Sequence, residues 1–447
     1  MNRLNLVFII LLLVTVSFFL GRFIAFGQGL HLLVFLIAIA VVLVTFININ
    51  FGLIILIFSM LLSPEIKLAE VPSRAVVVRV DDILLLVVFF TWLARMAINK
   101  ELGLIRPTPL NKPIIWYIIA GIIFTLKGVL FGLVNLKESL FYLLKYIEYF
   151  MLFFIFSNQI REMKQGRLFM ACFFITAILV GGYGYSQLGG GERITAPFEG
   201  KAGEPNTLGG YLLLVMAITA GFILYEGVTK IFLFYSGLII FLLIPFVFTL
   251  SRTSYLAFLP MALSFLFFSR RRKGLVAVVL ILGLILSPSF LPEKVKNRIY
   301  TIFHGESEQK ILGITTRHDL SAAARIEGWK RVLFNKWPVH PFTGWGITGV
   351  GLVDSQYPRI LGELGIIGLG IFIWLIVSIV RQAWRLYSSP LADNYIKGFS
   401  LGYLAGLIGL LTHALGAETF IIVRIMEPFW FLTAIMISMP KMVQENE

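Results

Sequence analysis

Residues 231–260 read "IFLFYSGLIIFLLIPFVFTLSRTSYLAFLP". An uncharged apolar run ends near Thr249, a single arginine follows at Arg252, and a second apolar run begins at once. A helix needs about 20 apolar residues to cross a hydrocarbon core of roughly 30 Å. The stretch therefore reads as two spans joined by a tight turn, with Arg252 at the mouth of the second. The same pattern recurs in "LNLVFIILLLVTVSFFL" (4–20), "HLLVFLIAIAVVLVTF" (31–46) and "LVAVVLILGLIL" (275–286). Across 447 residues, 58% are hydrophobic and 14% charged, and the mean hydropathy is +0.89. Soluble domains are about one quarter charged. The chain is predicted to be an all-α, polytopic integral membrane protein.

Apolar periodicity predicts twelve to fourteen spans, at about 5–20, 29–45, 48–62, 80–98, 113–131, 138–157, 168–188, 206–225, 231–249, 253–268, 274–290, 358–380, 397–414 and 425–440. Residues 1–20 read as the first span, with no small-residue cleavage site after them. This divides the chain into a transmembrane bundle at 1–290, a large outward loop at 291–357 and C-terminal helices at 358–447. Four short basic loops carry Arg95/Lys100/Arg106/Lys112, Arg161/Lys164/Arg167, Arg270–Lys273 and Arg381/Arg385/Lys397. Any two are separated by an even number of spans, so all four share one side. The positive-inside rule makes that side the cytoplasm and places both termini there. Residues 189–205, the Arg252 turn and the long loop then face outward. Within the loop, "EKVKNRIYTIF" (293–303) and "SAAARIEGWKRVLFNKW" (321–337) have the period of short amphipathic helices.

Several function classes are excluded or weakened. The net charge of +14 is spread over loops between spans, with no basic soluble domain to hold nucleic acid. No GxxxxGK[ST] phosphate loop is present, and "GYGYSQLGGG" (182–191) only ends a span. Cys172 is the single cysteine, and no Cys/His cluster has metal-ligand spacing. No metal or cofactor is expected. Energy for any chemistry must arrive with the substrate.

Positive residues are depleted from short outward loops, so Arg193, Arg252 and Arg325 need a reason. Singly, each reads as a snorkelling side chain. Together, on one side, their planar five-donor forks suit phosphate or pyrophosphate oxygens. In "VDSQYPRILGELGIIGLGIFIWLI" (353–376), Asp354 lies in the loop just before a span and Glu363 in the span's first turns. Glu363 has a bland reading as an acid favoured by the helix dipole. Asp354 has one as a turn or cap residue, and otherwise a carboxylate placed there can accept a proton from a sugar hydroxyl. His340, His413, Arg424 and Glu363 are further candidate cavity-lining residues. His413, Glu418 and Arg424 also fit a structural network around the turn "THALGAETFIIVRIMEPFW" (412–430). Lys145 and Glu148 are spaced to pair with each other, Asp81 and Asp82 to favour a helix N-terminus, and Lys127 to snorkel.

Four segments in order resemble the bacterial O-antigen ligase/polymerase superfamily of membrane glycosyltransferases. They are "ERITAPFEGKAGEPNTLGGYLLL" (192–214), "TLSRTSYLAFLP" (249–260), "ARIEGWKRVLFNKWPVHPFTGWGITG" (324–349) and "DSQYPRILGELGIIGL" (354–369). The resemblance implies a GT-C-type fold in the bacterial cytoplasmic membrane, with its active site on the periplasmic or outer face. It implies metal-independent transfer between undecaprenyl-pyrophosphate-linked oligosaccharides, among membrane lipid and beside a chain-length regulator protein. Arg193 and Arg252 would clamp the pyrophosphate and Arg325 would support donor or acceptor. Ligases of the family carry a histidine followed by asparagine nine residues before Glu-x-Gly. Here that position is Asp354, followed by Ser355, which favours a polymerase of repeat units for O-antigen, capsule or exopolysaccharide. A ligase acting on lipid A core or protein is the second reading. A lipid-linked oligosaccharide transporter or flippase is the third, and would call for inverted repeats that the chain does not show.

Overall fold

The computed structural model describes residues 39–71, 74–98, 105–190, 193–199, 203–227, 229–290, 293–303, 307–311, 314–318 and 320–444. The first predicted span and most of the second lie outside them, although residues 39–47 are helical. From there on, each predicted span has a helix. These are α1 (Ile49–Leu62), α2 (Val80–Ile98), α3 (Asn111–Leu130), α4 (Leu136–Gln159), α5 (Met163–Ser186), α6 (Pro205–Tyr225) and α7 (Lys230–Phe248). After them come α8 (Arg252–Phe268), α9 (Lys273–Phe290), α12 (Gln356–Ser388), α13 (Asn394–His413) and α14 (Val423–Gln444). Between α9 and α12 the amphipathic segments form α10 (Glu293–Phe303) and α11 (Leu320–Lys330), the latter running into a π-helical turn at Arg331–Lys336.

Among the described residues, seven helices are long and apolar enough to cross a membrane: α3, α4, α5, α6, α7, α12 and α13. α1 and α8 are apolar but shorter, while α2 and α14 carry charges that become important below. The chain is a polytopic membrane protein. Two antiparallel hairpins were not anticipated. One pairs β1 (Glu65–Val71) with β2 (Arg74–Arg79), the other β3 (Ser307–Ile311) with β4 (Ile314–His318). Both sit in connections, where backbone groups can pair locally without apolar alternation over a full sheet.

α6 is the buried axis, and α13 packs along it. Contact is close because small residues face each other. A Cβ on Gly221 would lie 2.2 Å from the carbonyl oxygen of Gly398. Apolar side chains gain little by leaving lipid, so such packing, rather than hydrophobic burial, holds helices together in a membrane.

The two ends of the bundle sort the loops as parity predicts. At one end, the Arg106 backbone N–H donates to Asn158 Oδ1 (2.9 Å), Arg271 Nη1 to Asn394 Oδ1 (3.0 Å) and Arg272 Nη1 to Ile223 O (2.7 Å). Arg167 faces Asp393 there. The basic loops therefore gather together. At the other end lie the connections around residues 63, 197, 250, 343, 355 and 415.

α12 is broken at Gly365, where φ is 65° and ψ −169°, a region open essentially only to glycine. The break leaves backbone groups without helical partners, and the loop "PFTGWG" (341–346) supplies them. Trp345 N–H donates to Gly362 O (3.0 Å) and Gly346 N–H to Glu363 O (2.9 Å). Ile366 N–H donates to Pro341 O (2.9 Å) and Ile367 N–H to Phe342 O (3.3 Å). Pro-x-x-Gly-x-Gly is thus a seam sewn into a membrane helix. Gly344 and Gly346 also have positive φ, at 64° and 91°. Lys127, expected to snorkel, instead donates to Thr343 Oγ1 (2.6 Å) and pins this seam to α3.

Candidate functional site

The turn from Thr249 to Arg252 is the first part of the site. Ser251 caps α8, its Oγ accepting from Ser254 N–H (3.2 Å). Leu250 before it has φ 51°, a left-handed conformation rare for an apolar side chain other than glycine. Arg193 holds that turn, donating from Nε to Thr249 O (3.2 Å) and from Nη2 to Leu250 O (3.3 Å). Arg193 is exposed and Arg252 only 8% exposed. The two arginines predicted to act together are thus on adjacent turns.

A chain of side chains runs behind Arg252. Ser251 Oγ donates to Asn206 Oδ1 (2.6 Å) at the start of α6. Its one hydroxyl proton is then spent, so Ser254 Oγ donates to Ser251 Oγ (2.8 Å). By the same count His413 Nε2 donates to Ser254 Oγ (3.2 Å), and Nδ1 accepts from Thr419 Oγ1 (2.8 Å). His413 is fully buried, and this chain fixes the orientation of its ring. A Cβ on Gly209 would meet Ser254 Oγ at 2.2 Å, so only glycine lets α6 come this close to the serines.

The turn after His413 brings the remaining candidates in. Thr253 Oγ1 donates to Gly416 O (3.5 Å), Ser355 Oγ to Leu415 O (2.8 Å) and Gln356 N–H to Ala414 O (3.0 Å). Ser355 and Gln356, which follow the exposed Asp354, thus bond to the same three-residue turn as Thr253, which follows Arg252. Trp329 Nε1 donates to Ser355 Oγ (3.0 Å). Four residues earlier on α11, Arg325 shares its helix face and is half-buried. In Arg-x-x-x-Trp the tryptophan thus anchors the face on which the arginine stands. Val332, Val350 and Val353, with Trp345 packed on them, form a small apolar core that steadies the loop.

The other candidates have different places. Glu363 is 2% exposed and does not merely answer a helix dipole. It accepts from Arg359 Nε (3.1 Å) and Thr348 N–H (2.9 Å), while Arg359 Nη1 meets Glu418 at 2.5 Å. Tyr142 lies against the Arg359 guanidinium at 5.1 Å. Arg359 was not singled out in the sequence, although its i, i+4 spacing to Glu363 was visible. Arg424 is structural: it donates to Leu61 O (2.9 Å), Pro197 O (2.7 Å) and Ser63 O (3.2 Å), tying three outer connections together. His340 belongs to the seam, its ring edge-on to Trp345 at 4.7 Å. Burial, with the Lys127 charge, pushes its pKa below the usual imidazole value, so it adds no cation near neutral pH.

The segments that carry Arg193, Arg252, Arg325 and Asp354 are thus linked by caps and hydrogen bonds through Thr249–Ser251, Ser355 and residues 414–416. Residues 237–373 match the family model described as O-antigen ligase and carry a domain of that family. Its members are membrane enzymes that transfer glycans. The matched segment holds Arg252, Arg325, His340, Asp354 and Glu363, whereas Arg193, His413 and Arg424 lie outside it. No curated protein matched the chain.

Proposed function

We propose that this protein is a polymerase that joins oligosaccharide repeat units carried on undecaprenyl pyrophosphate, at the outer face of the bacterial cytoplasmic membrane. The observation that supports the reading is that Thr253, next to Arg252, and Ser355 and Gln356, after Asp354, all bond to residues 414–416, while Trp329, one helical turn from Arg325, bonds to Ser355. The acceptor hydroxyl of one lipid-linked unit attacks the anomeric carbon of a chain on a second lipid. As the new C–O bond forms, Asp354 takes the hydroxyl proton. The bond to the pyrophosphate oxygen breaks, and undecaprenyl pyrophosphate leaves with its electron pair. Arg193 and Arg252 stabilise the negative charge that grows on that oxygen, and Arg325 supports donor or acceptor from α11. A single displacement inverts the anomeric centre.

The ligase reading is favoured by the description of the matching family, and its product differs. A test incubates purified protein with one defined lipid-linked repeat unit and follows products by mass. A ladder on the undecaprenyl carrier supports a polymerase, and glycan found only on an added lipid A core or protein acceptor supports a ligase. Neither product from wild type, or an unaltered ladder from Asp354→Ala, removes the assignment.

A further inference from the structure

A second polar cluster lies outside this site. Arg79 ends β2, Asp81 and Asp82 open α2, Lys145 and Glu148 stand on α4, and Glu427 stands on α14. Asp81 and Glu427 are fully buried, and the other side chains are 6% to 14% exposed. Arg79 Nη2 lies 2.9 Å from Asp81 Oδ2, 3.7 Å from Asp82 Oδ1 and 3.6 Å from Glu427 Oε2. Lys145 Nζ lies 2.6 Å from Asp82 Oδ2 and 3.0 Å from Glu148 Oε2. Four carboxyl groups thus face two cations, and the excess, if all ionised, is two negative charges in a space closed to water. Burying such a surplus is costly, and groups so placed neutralise instead.

Donors fall short in the same way. Asp81 Oδ1 receives Ser63 Oγ (3.1 Å) and the Asp82 N–H (3.2 Å), and Asp82 Oδ2 receives the Arg79 N–H (3.0 Å). Asp81 Oδ2, Asp82 Oδ1, Glu148 Oε1 and both oxygens of Glu427 are buried with no hydrogen bond. The carboxyls are also gathered in twos, Asp81 and Glu427 around Arg79 Nη2 and Asp82 and Glu148 around Lys145 Nζ. Two like charges that close do not both ionise.

We infer that this cluster is a proton-binding site that holds two protons, one in each of the pairs Asp81–Glu427 and Asp82–Glu148. Each proton turns an O···O repulsion into an O–H···O⁻ hydrogen bond, and two of them bring the cluster to zero net charge. The neighbours on every packed element agree. Ser63 donates from the α1 side, Tyr149 beside Glu148 is engaged with Phe420 O (3.0 Å), and Arg424 is held by the carbonyls of Leu61, Pro197 and Ser63 and faces Glu199. No further cation reaches these carboxyls among the described residues.

The test is infrared spectroscopy of the purified full-length protein in nanodiscs. Wild type at neutral pH is expected to show a protonated-carboxyl C=O band that shifts in D₂O. Glu427→Gln lowers it, and Glu148→Gln/Glu427→Gln lowers it further. Glutamine copies the shape of the protonated acid, so both variants fold, with a thermal midpoint at neutral pH no lower than that of wild type. The folded state holds more protons than the unfolded, so wild-type stability falls as pH rises above the ordinary carboxyl range, and the double variant loses that slope. A wild type without the band, or a band unchanged in the double variant, overturns the proposal. So does a midpoint that rises with sodium chloride but not with choline chloride, which would make the occupant a metal cation. Should the variants fail to fold, the wild-type band in H₂O, D₂O and alkaline buffer decides alone.

Discussion

Two polar regions lie toward the same end of the bundle and are built from the same residue types, yet they are opposite in design. Around Arg252 the excess is cationic, the groups stand on turns, and Arg193 and Asp354 are exposed. Around Arg79 the excess is acidic, the groups stand mostly on helices, and nothing in the cluster is more than 14% exposed. In the proposed function the cationic rim meets a visiting anion. A sealed acidic cluster has no visitor and must balance itself. Charge alone does not mark function; access and sign relative to neighbours do.

The comparison breaks first at Arg79. Removing one partner of a buried ion cluster strands the others, at about 3–5 kcal/mol. Arg79→Ala should lower unfolding stability by that amount in detergent, while turnover per folded molecule stays near wild type. A turnover loss without a stability loss would move Arg79 into the working site. Arg252→Ala should do the reverse: a fall of about 10²–10³ in chain-elongation rate with little change in melting, and Arg252→Lys in between. Equal loss of stability and rate would make Arg252 a structural cation. Gly365→Ala probes the seam beside both regions. Its Cβ would lie 2.3 Å from the Phe342 carbonyl carbon, and the forced backbone costs on the order of 1–3 kcal/mol, read as a drop in thermal midpoint. Ser254→Ala is the mildest, about 1 kcal/mol of stability. It should lower elongation rate more than stability because it unlinks His413 from the Ser251 cap.

Span positions were legible because bilayer thickness fixes helix length, and helix after helix begins within a few residues of its apolar run. The resemblance was legible too, and the segment that matches the family model, 237–373, contains Arg252, Arg325 and Asp354. What failed were partnerships across the sequence. Lys127 looks isolated in its span because Thr343 lies 216 residues away. Arg79 and Glu427 passed unnoticed because each has an opposite charge three residues away, Asp82 and Arg424, that offers a local partner and says nothing of a six-residue cluster. For Arg424 a cavity and a structural network both stayed open, since nothing local reveals that its acceptors are carbonyls of Leu61, Ser63 and Pro197. Hairpins in connections leave no apolar signature of their own.

The break in α12 limits how the outer loop can move. Peeling residues 341–346 away would expose four paired backbone groups in a region with little water, at about 2–7 kcal/mol each. This part of the loop is therefore a fixed sill. If substrate entry needs a lid, it must be hinged upstream of Pro341, on the side that carries α10 and α11, and mobility measured by hydrogen exchange should stop at that proline.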